Sequence, residues 1–351
     1  MKDILLQHIA AHPSITAQDI IKLCYQAVFG AEHLLLEQAR AWDYFRREWE
    51  MTPAMNRCLT EPLSDSYCRV DIASWKHLGL PPEWLFRMFY ATASCRVVGT
   101  AQDLTSLFGE VEVLARERQL PFTSDIWSSV LKEYEQLGGG AVHHSNAYRT
   151  AEQPAYRVVR RSFAELIPLL IRLAALPATP GEPKIIAIEG RAASGKSTLA
   201  ENLSVVLAAD IIHMDDFFLP PSLRTEDRLT EAGGNIHYER FVEQVLPHIK
   251  DNGAFHYDVF DCQIMKSERK QAIRSTEWRI VEGVYSHHPR FADYMDLRIF
   301  CDITPQEQMR RIRLRNGEAL AQRFETAWIP MEERYFSAFP IEALADYKIT
   351  N

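Results

Sequence analysis

One short stretch constrains this chain more than any other. Gly190-Arg-Ala-Ala-Ser-Gly195-Lys196-Ser197 meets the pattern G-x-x-x-x-G-K-[S/T] at every fixed position. So loose a pattern recurs by chance, and its flanks decide what it means. Upstream, Ile185-Ile186-Ala187-Ile188 is an apolar run fit for a buried strand, and downstream Thr198-Leu199-Ala200-Glu201-Asn202-Leu203 opens a helix. Between strand and helix, loop glycines let successive backbone N–H groups turn inward toward an anion. The helix adds the positive end of its dipole. The expected ligand is the triphosphate of ATP, contacted by Gly190, Ala193, Ser194, Gly195, Lys196, Ser197 and Thr198. Lys196 is expected to reach the β- and γ-phosphates and Ser197 to hold Mg2+.

The clearest boundary is Leu176-Pro-Ala-Thr-Pro-Gly-Glu-Pro183, which can sustain neither a helix nor an inner strand. It separates an expected domain over 1–175 from one over 184–351, with 176–183 as linker. The first reads as mainly α-helical. Apolar residues at 20, 23, 24, 27 and 28 share one helical face, and Trp42, Phe45 and Trp49 read as core. Further helices are expected over 33–49, 82–98, 104–118 and 156–176, the last with a kink at Pro168. In the second, strands are expected at 184–189, 211–214, 279–282, 297–302 and 347–350, with helices between them such as 197–209 and 305–315. That alternation predicts an α/β domain with a parallel sheet covered by helices on both faces.

Ligands of open parallel sheets lie at the carboxyl ends of the strands. Ile211-Ile212-His213-Met214 ends there in Asp215-Asp216. A hydroxyl nucleophile needs an acceptor for its proton, a role that falls to Asp215. Asp216 either assists with the metal or caps the following turn. Glu282 ends another strand and either holds Mg2+ through water or faces solvent. Arg310, Arg311, Arg313 and Arg315 share one expected helix, with 311 and 315 on the same side of it. Arg311 and Arg315 are the candidates for neutralising charge in the transition state.

Taken together, these segments resemble the uridine kinase and phosphoribulokinase group. Glu189-Gly-Arg-Ala-Ala-Ser-Gly-Lys-Ser-Thr198 looks like its phosphate loop. Met214-Asp215-Asp216-Phe217-Phe218 resembles its Asp-x-Phe-Tyr segment, whose aspartate is the acid-base. Asn235-Ile-His-Tyr-Glu-Arg-Phe241 falls at its Asn-Phe-Asp-His-Pro stretch, Tyr257-Asp258 at a Tyr-Asp pair, and Val281-Glu282-Gly283-Val284 at Val-Glu-Gly-Ile. The arginine helix resembles its lid, and Trp328-Ile-Pro330 through Ala345-Asp346-Tyr347 its ending. The resemblance spans nearly all of 183–351 and implies a P-loop kinase fold, ATP and Mg2+ as cofactors, and transfer of a phosphoryl group to a small-molecule hydroxyl. It departs at the acceptor. His237 stands where an aspartate would grip ribose, and Val-Phe-Asp-Cys-Gln follows Tyr257-Asp258 without the histidine expected beside a pyrimidine. His237, Tyr257, Asp258 and Arg224 are therefore candidate contacts to a nucleoside, a modified nucleoside or another polyol.

The N-terminal half is not assigned to a family of known activity on its sequence. Its polar groups Glu32, His33, Arg69, His143 and His144 could form a pocket or a metal site. Equally, Gly138-Gly139-Gly140 could be a plain linker beside surface histidines. Tyr156-Arg157-Val-Val-Arg160-Arg161 reads as a solvated basic helix face. A net charge of −8 argues against nucleic acid as a partner. No apolar run reaches the roughly 20 residues that span a bilayer, and the start does not read as a signal peptide. Six cysteines without C-x-x-C or zinc spacing read as reduced thiols, so a cytoplasmic protein is expected. A homo-oligomer is left open. The rival reading is a regulator in which the loop senses ATP and the helical half binds a partner.

Overall fold

The computed structural model describes residues 1–31, 37–95, 99–261 and 264–351. The chain divides into two compact units, Met1–Ala174 and Ala175–Asn351.

The first unit runs α1 (Lys2–Ala11), α2 (Ala17–Phe29), α3 (Gln38–Met51), β1 (Thr60–Pro62), β2 (Tyr67–Asp71), α4 (Ile72–His77), α5 (Pro82–Ala93), α6 (Ala101–Arg116), α7 (Ser124–Gln136), α8 (Asn146–Glu152), β3 (Tyr156–Arg160), α9 (Arg161–Ala164) and α10 (Ile167–Ala174). It is rich in helices, and Phe45 is fully buried against Trp42, Trp49 and Phe86. The helix expected over 156–176 is corrected. Tyr156–Arg160 is instead the third strand of an antiparallel sheet ordered β1-β2-β3, and it pairs with β2 from Tyr67↔Arg160 to Asp71↔Tyr156. Val158 and Val159 favour that pleated, buried setting. Pro168 does not kink a long helix but sits in the first turn of α10, where its missing N–H costs nothing. The basic patch is corrected with it. Arg157 is buried, pairs with Glu48 at 2.7 Å, and lies 4.9 Å from the Phe45 ring centroid and 5.4 Å from that of Phe89.

The second unit runs β4 (Lys184–Gly190), α11 (Lys196–Leu207), β5 (Asp210–His213), a 3-10 turn (Met214–Phe217), α12 (Glu226–Thr230), α13 (Tyr238–Gln244), α14 (Leu246–Ile249), β6 (Phe255–Asp261), β7 (Lys266–Ile273), β8 (Trp278–Glu282), β9 (Leu297–Asp302), α15 (Pro305–Asn316), α16 (Glu318–Arg323), a π-helical turn (Phe324–Trp328), α17 (Ile329–Ala338) and β10 (Tyr347–Thr350). Five strands form a parallel sheet ordered β10-β9-β4-β8-β5. The apolar run Ile185–Ile188 is its central strand, fully buried. Because the strands are parallel, the ends of β4, β5 and β8 open on one edge, and the loop and the acidic residues meet there. The sequence does not signal the antiparallel hairpin β6-β7, which packs Tyr257 and Val259 into the same core as Phe217 and Phe241. Among the described residues, no helix is long and apolar enough to cross a membrane.

Candidate active site

The loop leaves the central strand through a position that only glycine fits. Gly190 has φ +140°, and a Cβ there would stand 2.0 Å from the carbonyl oxygen of Cys301, its partner in the β4–β9 pairing. Gly195 has φ +94° and Ala193 φ 60°, so the chain turns left-handed twice before α11 begins. We expect Gly190→Ala to lower stability by at least about 2 kcal/mol, read as a lower urea midpoint.

Lys196 is buried at the first turn of α11, and its Nζ donates to the carbonyls of Gly190 and Arg191, each at 2.8 Å. The Ser194 hydroxyl is fully buried inside the loop without a partner. An orphaned hydroxyl and an ammonium held only by loop carbonyls are what a phosphate group would satisfy. The loop therefore fits a phosphate group on its own chemistry.

Beside it, Ser197 Oγ donates to Glu282 Oε1 at 3.0 Å, and His213 Nδ1 donates to Glu282 Oε2 at 3.0 Å. Glu282 is buried, which pulls its carboxyl upward, yet the His213 bond and the Lys196 charge outweigh this and hold it below the usual range. A hydroxyl and an ionised carboxylate are hard oxygen donors that suit Mg2+. Asp215 is exposed on the crevice floor, with Glu282, Lys196 and His213 close enough to act on its charge. Although its surface is open to solvent, the protein packed round the carboxyl limits its hydration, and this, then the Glu282 charge, pushes it above the ordinary range. Asp216 is turned to other work: it accepts the Tyr257 hydroxyl at 2.7 Å, and its carbonyl accepts from Arg240.

Two buried acids beneath the loop were missed as functional groups. Glu189 accepts from the N–H of Gly190 (3.0 Å), Tyr285 (3.0 Å) and His287 (3.2 Å) and from the Tyr335 hydroxyl (3.3 Å). Burial pushes it up to about 8, although these donors favour the ionised form. Glu332 of α17 accepts the N–H of Ala192 at 3.0 Å, and burial pushes it up to about 7. A carboxylate closing an apolar strand was the available signal for Glu189; nothing marks Glu332 in the sequence. Gln308 and Arg311 of α15 donate to the carbonyls of Ala192 (3.1 Å) and Ala193 (3.3 Å). Ala193, Gly195, Lys196, Ser197, Thr198, Arg311 and Arg315 line one cavity of about 430 Å3. Both candidate arginines thus face the phosphate loop.

The acceptor candidates fare differently. Tyr257 is 1% exposed, stacks on Phe217 and gives its hydroxyl to Asp216, so it supports the crevice instead of lining it. Asp258 is held by Gln244, which donates to Oδ2 at 2.8 Å and accepts the Asp258 N–H at 2.9 Å. The Tyr257 hydroxyl is thus committed within the protein, and the Asp258 carboxylate is braced by Gln244. Arg224 is exposed and donates to the carbonyl of Leu219 at 2.8 Å. His237 is half-buried at the start of α13, and its N–H donates to the Phe217 carbonyl at 2.6 Å. That bond ties it to the turn carrying Asp215.

In the first unit, Glu32 and His33 lie outside the described residues. Arg69 and His144 join one buried network. Arg69 donates to Gln26 Oε1 at 3.1 and 2.8 Å and lies 4.5 Å over the Tyr156 ring. His144 bridges Asp19 (2.9 Å) and the Tyr156 hydroxyl (2.7 Å), and burial pushes its imidazole down to about 4. His143 is exposed, and its carbonyl accepts from Gln18 at 2.8 Å.

No family model matches the chain. Among solved structures, it is similar to a candidate uridine kinase from Bacillus stearothermophilus at 19% identity and a TM-score of 0.41, covering 53% of this chain and 98% of that one. A candidate fructose transport system kinase from Silicibacter matches at 22% identity and a TM-score of 0.41, over 54% and 98% of the two chains. D-glycerate 3-kinase from Cryptococcus neoformans matches at 15% identity and a TM-score of 0.34, over 49% and 83%.

Proposed function

We propose that the unit Ala175–Asn351 is an ATP-dependent phosphotransferase that phosphorylates a hydroxyl of a small molecule, a nucleoside or a polyol of similar size. One observation carries this reading: a solvent-open carboxylate, Asp215, stands within electrostatic reach of Lys196 and Glu282 at the mouth of the glycine loop. Ser197 and Glu282 would hold Mg2+, which when bound neutralises charge on the β- and γ-phosphates. Asp215 orients the acceptor hydroxyl and takes its proton as the new oxygen–phosphorus bond forms and the bond from the γ-phosphorus to the bridging oxygen breaks, with ADP as the leaving group. Its raised affinity for a proton suits a base that must accept one in each turnover and then release it to solvent. Lys196 exchanges the loop carbonyls for phosphate oxygens, and Arg311 and Arg315 neutralise the transferring group from the facing helix.

The test is ADP release by the full chain with ATP and Mg2+, with and without a panel of nucleosides and polyols. We expect turnover that depends on one acceptor class and yields its phosphate monoester in equal amount. ATP hydrolysis indifferent to every acceptor would instead support the nucleotide-responsive regulator.

A further inference from the structure

The first unit contains a second constellation that the phosphate chemistry does not use. His8 and His12 are four residues apart at the end of α1, and the helical bond from His12 N–H to the His8 carbonyl (2.9 Å) brings both rings to one side. Their ring centroids are 6.0 Å apart. Glu61 enters from β1, with Oε1 2.6 Å from His12 Nε2 and Oε2 3.8 Å from His8 Nδ1. The three ligand atoms lie within 4.8 Å of one another. We propose that His8, His12 and Glu61 form a binding site for one divalent first-row transition metal ion of the zinc class.

The tautomers carry the argument. His8 Nε2 lies 2.7 Å from the Pro62 carbonyl, which can only accept, so the proton sits on Nε2. Nδ1 is left with a lone pair, and this atom is buried without a partner in a residue 3% exposed. A bare imidazole nitrogen aimed at a carboxylate is costly unless a cation stands between them. His12 differs in that its Nε2 is already hydrogen-bonded to Glu61 Oε1 at 2.6 Å, so a metal ion would take the place of the proton between them. Its Nδ1 donates to Glu152 Oε2 at 3.3 Å, and Ser14 fixes Glu152 through Oε1 at 2.7 Å. Histidine ligands commonly give their second nitrogen to a carbonyl or carboxylate in this manner. Two imidazoles and a carboxylate favour zinc-like ions over Mg2+ or Ca2+. Bonds of about 2.1 Å in a tetrahedral site put ligand atoms about 3.4 Å apart, so the observed spacings need only small side-chain adjustments.

The site is not closed. His12, Glu61 and Glu152 also line a cavity of about 400 Å3, together with Arg57, Arg69 and Tyr148. The remaining coordination positions face that cavity, and three protein ligands with an open position distinguish reactive metal sites from structural ones. Arg69 Nη1, 3.9 Å from Glu61 Oε2, and Arg57 give the open side a positive wall suited to an anionic ligand.

The experiment titrates the metal-free full chain with Zn2+ and, separately, with Co2+, in excess Mg2+ so that oxygen-rich sites are occupied. We expect one ion per chain with a dissociation constant in the micromolar range or tighter, a higher melting temperature, and visible Co2+ absorption of a site with fewer than six ligands. His12→Gln and Glu61→Gln should each weaken binding by at least about 100-fold, Glu152→Gln by about 10-fold, and exposed His77→Gln not at all. Should a ligand variant fail to fold, the wild-type Co2+ spectrum decides. An octahedral spectrum, no saturable binding, or unchanged stoichiometry in both His8→Gln and His12→Gln would overturn the site. Neither result bears on acceptor-dependent ATP turnover, which the other unit carries.

Discussion

Asp215→Asn should lower kcat of the acceptor-dependent reaction by about 10²- to 10⁴-fold, the range that a positioned base contributes. The change removes a negative charge and a proton acceptor but keeps the shape, and Asp215 is exposed, so folding should be unaffected. ATP binding should hold or tighten slightly, because one anion fewer faces the phosphates. The pH profile gives an independent reading. A carboxyl raised above its ordinary range must lose its proton to act, so wild-type activity should fall as pH drops through that raised value. The variant should lack this acid limb. Turnover equal to wild type, or an acid limb that persists in Asp215→Asn, would remove the base assignment.

Lys196→Ala should cost about 10²- to 10³-fold in kcat, the scale of losing one preorganised charge contact to the transition state, and should weaken ATP binding as well. Its Nζ is the common donor to Gly190 and Arg191, so the variant also leaves two loop carbonyls without that partner. Lys196→Arg separates the two effects. A guanidinium keeps the charge but replaces a compact point charge with a planar fork. If the loss in Lys196→Ala comes only from loop disorder, melting temperature will fall with activity. If it comes from the missing charge, activity will fall far more than stability does.

The phosphate side was legible because it is local. A strand, a glycine turn and a helix follow one another within a single continuous stretch, and each part is marked by residue type. Glu282, Asp215 and the arginine helix could be placed from strand ends and helical spacing. The acceptor side was not legible, because its geometry depends on the β6-β7 hairpin docking Tyr257 against Phe217, a contact between distant segments. Nothing in the string Tyr257-Asp258 says that one hydroxyl will be sealed against Asp216 and one carboxylate held by Gln244. Tyr156–Arg160 was misread for the same reason: its strand character comes from β2, far away in sequence. Arg69 and His144 do converge, but through Gln26 and Tyr156, neither of which the sequence marks as a link between them. His8 and His12 have the spacing of a shared helical face, yet only Glu61 folding back beside them gives that spacing a meaning.

Glu189 acts as a keystone for the mouth of the crevice. One carboxyl group gathers donors from the loop entrance, from the segment after β8, and from α17, and holds them around a polar centre shut away from water. Parting any of these arms would leave a buried polar group short of a partner, a cost that favours keeping the three segments together.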